Sequence, residues 1–254
     1  MRTFRITPLL LALILCVNVA AKDTRKELTV NLKFAPQEGV QSNSPDLTPS
    51  VLEKTIAVRV EDGRGGDAAQ IGQGTNDDDQ AFPIRASADV PAYVADTLKQ
   101  VATGWGIKIA DTPDRVLVLR LTRFFVDESN KALGSVYAAE VKFTYTLNDG
   151  SGKKLLEGAS SGSAHRYGRS RSADNCNEVL SDSLKEAFAT VVSDPGLQEA
   201  WASGRAAGGS TGTAAATGKE SVEERLRKLD ELLKKGLITK EEYDKKRAEI
   251  LKDI

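Results

Sequence analysis

Two stretches near the middle of the chain alternate apolar and polar residues more regularly than any other. From Arg115 to Val126, Leu117, Leu119, Leu121 and Phe125 are placed on one face. From Val136 to Leu147, Tyr137, Val141, Phe143, Tyr145 and Leu147 share one face, and Glu140, Lys142, Thr144 and Thr146 share the other. A period of two is the mark of a strand with one buried side, because successive side chains point to opposite faces. The polar run Asp127 to Gly134 between them reads as a turn. The pair predicts the centre of an antiparallel sheet.

The same pattern extends outward. Glu27 to Phe34 reads as a first strand with Leu28, Val30, Leu32 and Phe34 inward, and Thr55 to Glu61 as a second with Ile56, Val58 and Val60 inward. Ala81 to Ser87 and Ile107 to Ala110 read as short strands. Lys154 to about Tyr167 reads as an edge strand, since Gly158, Ser160, Ser161, Gly162 and Ser163 leave little to bury. Two segments switch to helical spacing. Asp89 caps one and Pro91 fits its first turn, with Val90, Val94, Leu98 and Val101 as its stripe. Ser172 or Asp174 caps the other, which buries Val179, Leu180, Leu184, Ala187, Phe188, Val191 and Val192. Trp105, between Gly104 and Gly106, is expected to cover the core edge. Asp194-Pro-Gly196 breaks the second helix, and one further turn runs to Trp201. The expected fold class is α+β: an antiparallel sheet with two packed helices, plus a C-terminal two-helix hairpin on a flexible linker.

The ends of the chain carry different signals. Residues 1–21 read as a secretory signal peptide: Arg2 and Arg5, an apolar run from Pro8 to Val19, then Val19-Ala-Ala21 before Lys22. About a dozen apolar residues at roughly 1.5 Å each fall short of a bilayer core of about 30 Å. Cys16 raises the alternative of a lipid anchor, but Leu15 stands where a lipidation signal carries Gly or Ala. A periplasmic protein is therefore expected, with an outer-membrane lipoprotein as the alternative and membrane association only if Cys16 is lipidated. Residues 22–201 form the body. Residues 202–219 are Gly, Ala, Ser and Thr with almost nothing apolar, a linker whose ends wander by about 20–25 Å.

Residues 220–254 read as two amphipathic helices. Ser221-Val-Glu-Glu224 and Thr239-Lys-Glu-Glu242 are capping boxes, and Gly236 ends the first helix. Ile238 packs on Tyr243 as a staple. The apolar seam that needs a partner is Leu226, Leu229, Leu233, Leu237, Ile238, Tyr243 and Ile250. So small a unit is not stable alone. It must meet the body, another copy or another envelope protein.

Composition narrows the chemistry. The chain of 254 residues has 35 basic and 36 acidic side chains, and no basic surface clusters as nucleic acid would require. Only Cys176 remains after signal removal, so no internal disulfide forms. Asp62 to Gln80 is glycine-rich but lacks a phosphate-loop pattern, and Asp77-Asp-Asp79 lacks calcium-loop spacing; a solvated, mobile loop is expected there. Arg166, Arg169 and Arg171 are the candidate anion contact. Cys176, in a first helical turn that lowers thiol pKa, and His165, the one histidine, form a conceivable nucleophile pair without flanking signatures. No catalytic residue, metal or cofactor is expected.

Leu226 to Leu251, and above all Lys234-Lys-Gly-Leu-Ile-Thr-Lys-Glu-Glu-Tyr243, closely resembles the SHOCT domain, a short domain at the C-termini of many bacterial proteins. That resemblance implies oligomerisation or docking. Residues 27–201 resemble the YajG-type family of bacterial envelope lipoproteins, through Leu28-Thr-Val-Asn-Leu32, Val58-Arg-Val-Glu-Asp-Gly-Arg64 and Ile71-Gly72. That family is of unknown molecular function and usually lipidated. The combined expectation is a non-enzymatic envelope protein that docks through its hairpin, with a small-molecule or anion-binding periplasmic module as the alternative. The mature protein is expected to begin at Lys22. Intact mass of material purified from the cell envelope checks this, and a diacylated Cys16 would overturn it.

Overall fold

The computed structural model describes residues 23–37, 44–131, 134–168, 172–206, 243 and 246–247. One sheet of eight strands forms the floor of the body. Its strands are β1 (Leu28–Val30), β2 (Thr55–Asp62), β3 (Gln70–Thr75), β4 (Ala81–Ala86), β5 (Lys108–Ile109), β6 (Arg115–Lys131), β7 (Gly134–Asp149) and β8 (Lys154–Gly168). The helices are α1 (Pro49–Leu52), α2 (Val90–Gly104), α3 (Ala173–Val192) and α4 (Pro195–Ser203).

Strand β6 is the spine. One edge runs antiparallel to β7 along its full length, and β7 in turn pairs antiparallel with β8. The other edge serves two partners in succession: β2 lies parallel, with Ile56–Asp62 against Arg115–Leu121, and β3 lies parallel farther on, with Gly72–Gly74 against Val126–Glu128. β5 extends the first ledge, and β4 and β1 extend the second. The expected antiparallel sheet is therefore corrected to a mixed one, with β1–β4, β2–β5, β2–β6 and β3–β6 parallel. The long excursion through β3, β4, α2 and β5 separates β2 from β6, which is the length of connection that a parallel neighbour needs.

A bulge adjusts the spine. The register shifts between Leu121 and Arg123, leaving Thr122 without a cross-strand mate. Before it the buried residues are Leu117, Leu119 and Leu121; after it they are Phe124, Val126 and Glu128. The strict alternation that placed Phe125 inward is off by one residue from this point. Phe125 turns to the open face, where the Arg123 guanidinium lies 4.8 Å from its ring centroid. The partner strand has no bulge, and its predicted face, Tyr137 to Leu147, is buried throughout.

Both predicted long helices form, on one side of the sheet. Asp89 accepts the Ala92 N–H at 2.7 Å to cap α2, and Ser172 caps α3 by accepting the Asn175 N–H. All seven predicted apolar residues of α3 are at most 1% exposed. Each of the six larger than alanine contributes roughly 1.5–3 kcal/mol of burial free energy. Trp105 stacks on Phe188 with centroids 5.5 Å apart, so it closes the core edge between α2 and α3 as expected. β8 is an edge strand, also as expected. Its glycines have a use that composition conceals: a Cβ at Gly162 would collide with the backbone of Ser183 and Ala187 on α3. Gly162 thus lets the helix sit directly on the strand. Gly162→Val is expected to cost about 1–3 kcal/mol by forcing α3 away, read as a lowered midpoint in thermal unfolding.

Candidate functional site

The far end of the β6–β7 hairpin holds a buried polar cluster. Asp127 to Lys131, expected as turn, continue β6 as strand. Glu128 faces Tyr137 and is 3% exposed. Its Oε1 accepts from Ser135 Oγ at 3.0 Å, Tyr137 OH at 3.2 Å and Arg25 Nη2 at 3.2 Å. Arg25 also bonds Asp23 at 2.8 Å and lies 5.0 Å above the Phe82 ring. Burial opposes the Arg25 charge, but the bond to Asp23 and the charges of Glu128 and Asp23 outweigh it and raise its pKa. Cys176 lies fully buried within reach of this field. Burial, reinforced by the Glu128 charge, pushes its thiol up to about 12. Burial likewise pushes the Tyr137 phenol up to about 12, and the Ser172 N–H donates to its oxygen.

From this cluster the N-terminal segment runs along α3 as a strap. The Lys33, Ala35 and Gln37 N–H groups donate to Asn177 Oδ1, Ser181 Oγ and Asp182 Oδ1 at 3.2, 3.0 and 3.2 Å. Asn177 Nδ2 returns a bond to the Asn31 carbonyl at 3.1 Å. Alternate residues of the segment therefore meet side chains on two adjacent turns of a helix, Asn177 on one and Ser181 and Asp182 on the next. Burial raises the Asp182 pKa, against the two bonds it accepts from Gln37. Neither the cluster nor the strap was legible in the sequence. Asp-Glu-Ser-Asn-Lys reads as a turn by composition, and nothing local to Arg25 points 103 residues ahead.

The residues singled out for chemistry are dispersed. Arg166 forms an ion pair with Glu178 of α3, so its charge is spent within the fold. Arg169 and Arg171 lie outside the described residues. His165 is exposed on the face of β8 that points away from α3, whereas Cys176 is buried behind the opposite face. The nucleophile pair is therefore not assembled. The thiol pKa moves opposite to the direction expected from the helix dipole, because desolvation is the larger effect. The glycine-rich stretch is pinned rather than loose. Arg64 donates to Asp62 at 2.8 Å and to the Ala68 carbonyl at 2.9 Å, Asp67 pairs with Arg85, and β3 occupies residues read as loop. Among the described residues no group of three or more His, Cys, Asp or Glu is placed to hold a metal, and no helix is long and apolar enough to cross a membrane. Of the hairpin seam, only Tyr243 is among the described residues; Leu226, Leu229, Leu233, Leu237, Ile238 and Ile250 lie outside them.

A groove of about 720 Å³ opens between α4 and the segment leading into α1. Asp46, Thr48, Ser50, Ser193, Glu199 and Ser203 contribute to its lining. Gln198, also in the wall, has its side chain committed to the Asp46 and Val192 carbonyls and the Thr48 N–H. Its charged groups are acidic, which disfavours an anion.

Residues 43–201 match the family described as uncharacterised lipoprotein, more than half of the chain. The chain belongs to that family. Residues 224–251 match the short C-terminal domain, SHOCT. The family match begins C-terminal to Cys16. No curated protein matches the chain. Solved structures similar to this family member include a Xanthomonas campestris protein assigned to DUF330, at 11% identity over 66% of this chain and 91% of that one, with TM-score 0.38. Lipoprotein GNA1162 of Neisseria meningitidis is similar at 12% identity over 48% and 89%, with TM-score 0.27. A PelC dodecamer from Paraburkholderia phytofirmans is similar at 14% identity over 52% and 88%, with TM-score 0.28.

The buried thiol gives a direct check. An unfolded cysteine ionises near 8.5, and Cys176 in the fold ionises at about 12. Between those values the unfolded chain binds fewer protons, so stability is present below about pH 8.5 and falls as pH rises toward 12. Alkylation of the native protein at pH 8 is expected to be slow and to track unfolding. Cys176→Ala is expected to flatten the alkaline loss of stability measured by denaturant titration.

Proposed function

We propose that this lipoprotein-family member is a non-enzymatic exported envelope protein whose C-terminal hairpin joins it to a second copy or to another envelope protein. The observation that carries this reading is the match of residues 224–251 to the short C-terminal domain. The geometry of the body agrees with it. The groups that looked chemical are committed to folding: Cys176 to the core, Arg166 to Glu178, and Arg64 to its own loop. The body also ends in a way suited to a tether. Gly204 adopts a left-handed conformation with φ 68° after α4, a turn that stops a helix and releases the chain.

A second reading, a small-molecule module, is favoured by one observation, the groove between α1 and α4. Its acidic and hydroxyl lining suits a neutral polar or cationic ligand and moves the candidate site away from the arginine run.

The test of the first reading uses the mature full-length chain. Replacing Leu229 and Leu233 by Asp places two charges in the seam. Light scattering is expected to show a lower assembly mass, or a pull-down from envelope extract to lose its partner, with the thermal midpoint of the body unchanged. An unchanged mass together with an unchanged partner set would refute the role of the hairpin.

A further inference from the structure

The edge strand β8 spans residues 154–168 and pairs only with β7 among the described residues. An edge of that length, about 50 Å at roughly 3.3 Å per residue, with no strand on its outer side among the described residues, invites another strand. Natural edges are blunted by proline, charged side chains, a bulge, short length or a covering helix, and on β8 the α3 side chains Glu178 and Glu186 engage Arg166 and one outward N–H. Here the register is regular from Leu156 to Gly168, and the interior of the strand contains neither proline nor lysine. The other outer strands, β1 and β5, have three and two residues.

The outward row can be assigned. The Ser163 N–H donates to Glu186 Oε2 at 2.7 Å and so points away from β7. By alternation, the main-chain groups of Glu157, Ala159, Ser161 and His165 also point outward. Their side chains, with that of Ser163, are exposed on the face opposite α3.

We infer that β8 pairs antiparallel with β8 of a second copy of this chain, about a twofold axis at Ser161. This is the register that overlaps the whole strand. It sets Ala159 against Ser163 and Ser161 against its own mate, small residues that let two backbones approach. It sets Glu157 against His165 at both ends, an acid against a base. A register centred on Glu157 would instead oppose two carboxylates. Five outward residues per chain form about ten main-chain hydrogen bonds across the axis. Glu186 is a removable cap: it holds one outward donor in the monomer and yields it to the Ala159 carbonyl of the mate. α3 stands directly over Gly162 and would approach its symmetry mate closely. The two Ser163 positions are offset by four residues, about 13 Å, so the two Glu186 carboxylates do not meet.

The test uses two variants of the mature full-length chain. Ser161→Pro removes an outward N–H and leaves the β7 ladder intact, since proline is tolerated where an edge donor faces solvent. The expected result is a halved mass in sedimentation equilibrium, with an unchanged far-ultraviolet spectrum. Ser161→Cys introduces the one accessible thiol, because Cys176 is fully buried. It is expected to form a covalent homodimer under mild oxidation. Three outcomes would overturn the pairing: a monomeric parent chain at about 100 µM, a Ser161→Cys variant that stays uncrosslinked, or crosslinking to a different protein. If the seam variant with Asp at 229 and 233 loses mass while Ser161→Pro does not, the hairpin alone assembles the protein and the edge inference fails. The reverse pattern upholds the edge and removes the hairpin.

Discussion

Everything in the body hangs on one strand having two neighbours on the same edge. β6 holds β2 along its first half and β3 along its second, while β7 takes the whole of the other edge. A strand of ordinary length would serve one partner per edge. The length of β6 lets the sheet carry two ledges without a second sheet, and it requires the bulge at Thr122. Without that inserted residue, the second half would turn Phe124 and Val126 to solvent and Phe125 inward. The whole β3–β4–β1 ledge would then lose its apolar floor.

The bulge also explains why a carboxylate is buried. Once the phase has shifted, position 128 falls on the core side, and Glu128 occupies it opposite Tyr137. An isolated buried carboxylate is costly. Three donors offset that cost: the Ser135 and Tyr137 hydroxyls and the Arg25 cation, which comes from the N-terminal segment. The strap is thereby tied at its start to the sheet tip and farther on to α3. The segment from Asp23 to Gln37 is thus held by polar bonds rather than by apolar burial alone.

The two exits of the body lie at opposite ends of β6. Asp23 and Arg25 sit beside Glu128 near the end of the strand, and Trp201 is bonded to Arg115 at its start through a 2.9 Å bond to the Trp201 carbonyl. Thirteen residues of strand separate those positions, about 43 Å at 3.3 Å each. The described body thus begins and ends near opposite ends of its longest strand. Among the described residues, β8 pairs along that flank only with β7.

Local sequence settled what local physics governs. Period-two alternation named the buried faces of β2 and β7, helical spacing named the seven buried residues of α3, and Asp89 and Ser172 were readable as caps because capping bonds reach only three residues. The glycine and serine content of β8 marked an edge for the same reason: too little side chain to be covered on both sides. Choices between distant segments were not readable. The parallel placement of β2 and β3 on β6, the one-residue bulge, the burial of Glu128 with Arg25 and the raised thiol pKa of Cys176 each depend on residues far apart in the chain. No window of sequence contains both partners, and desolvation, which outweighs the helix dipole at Cys176, exists only once the core has closed around it.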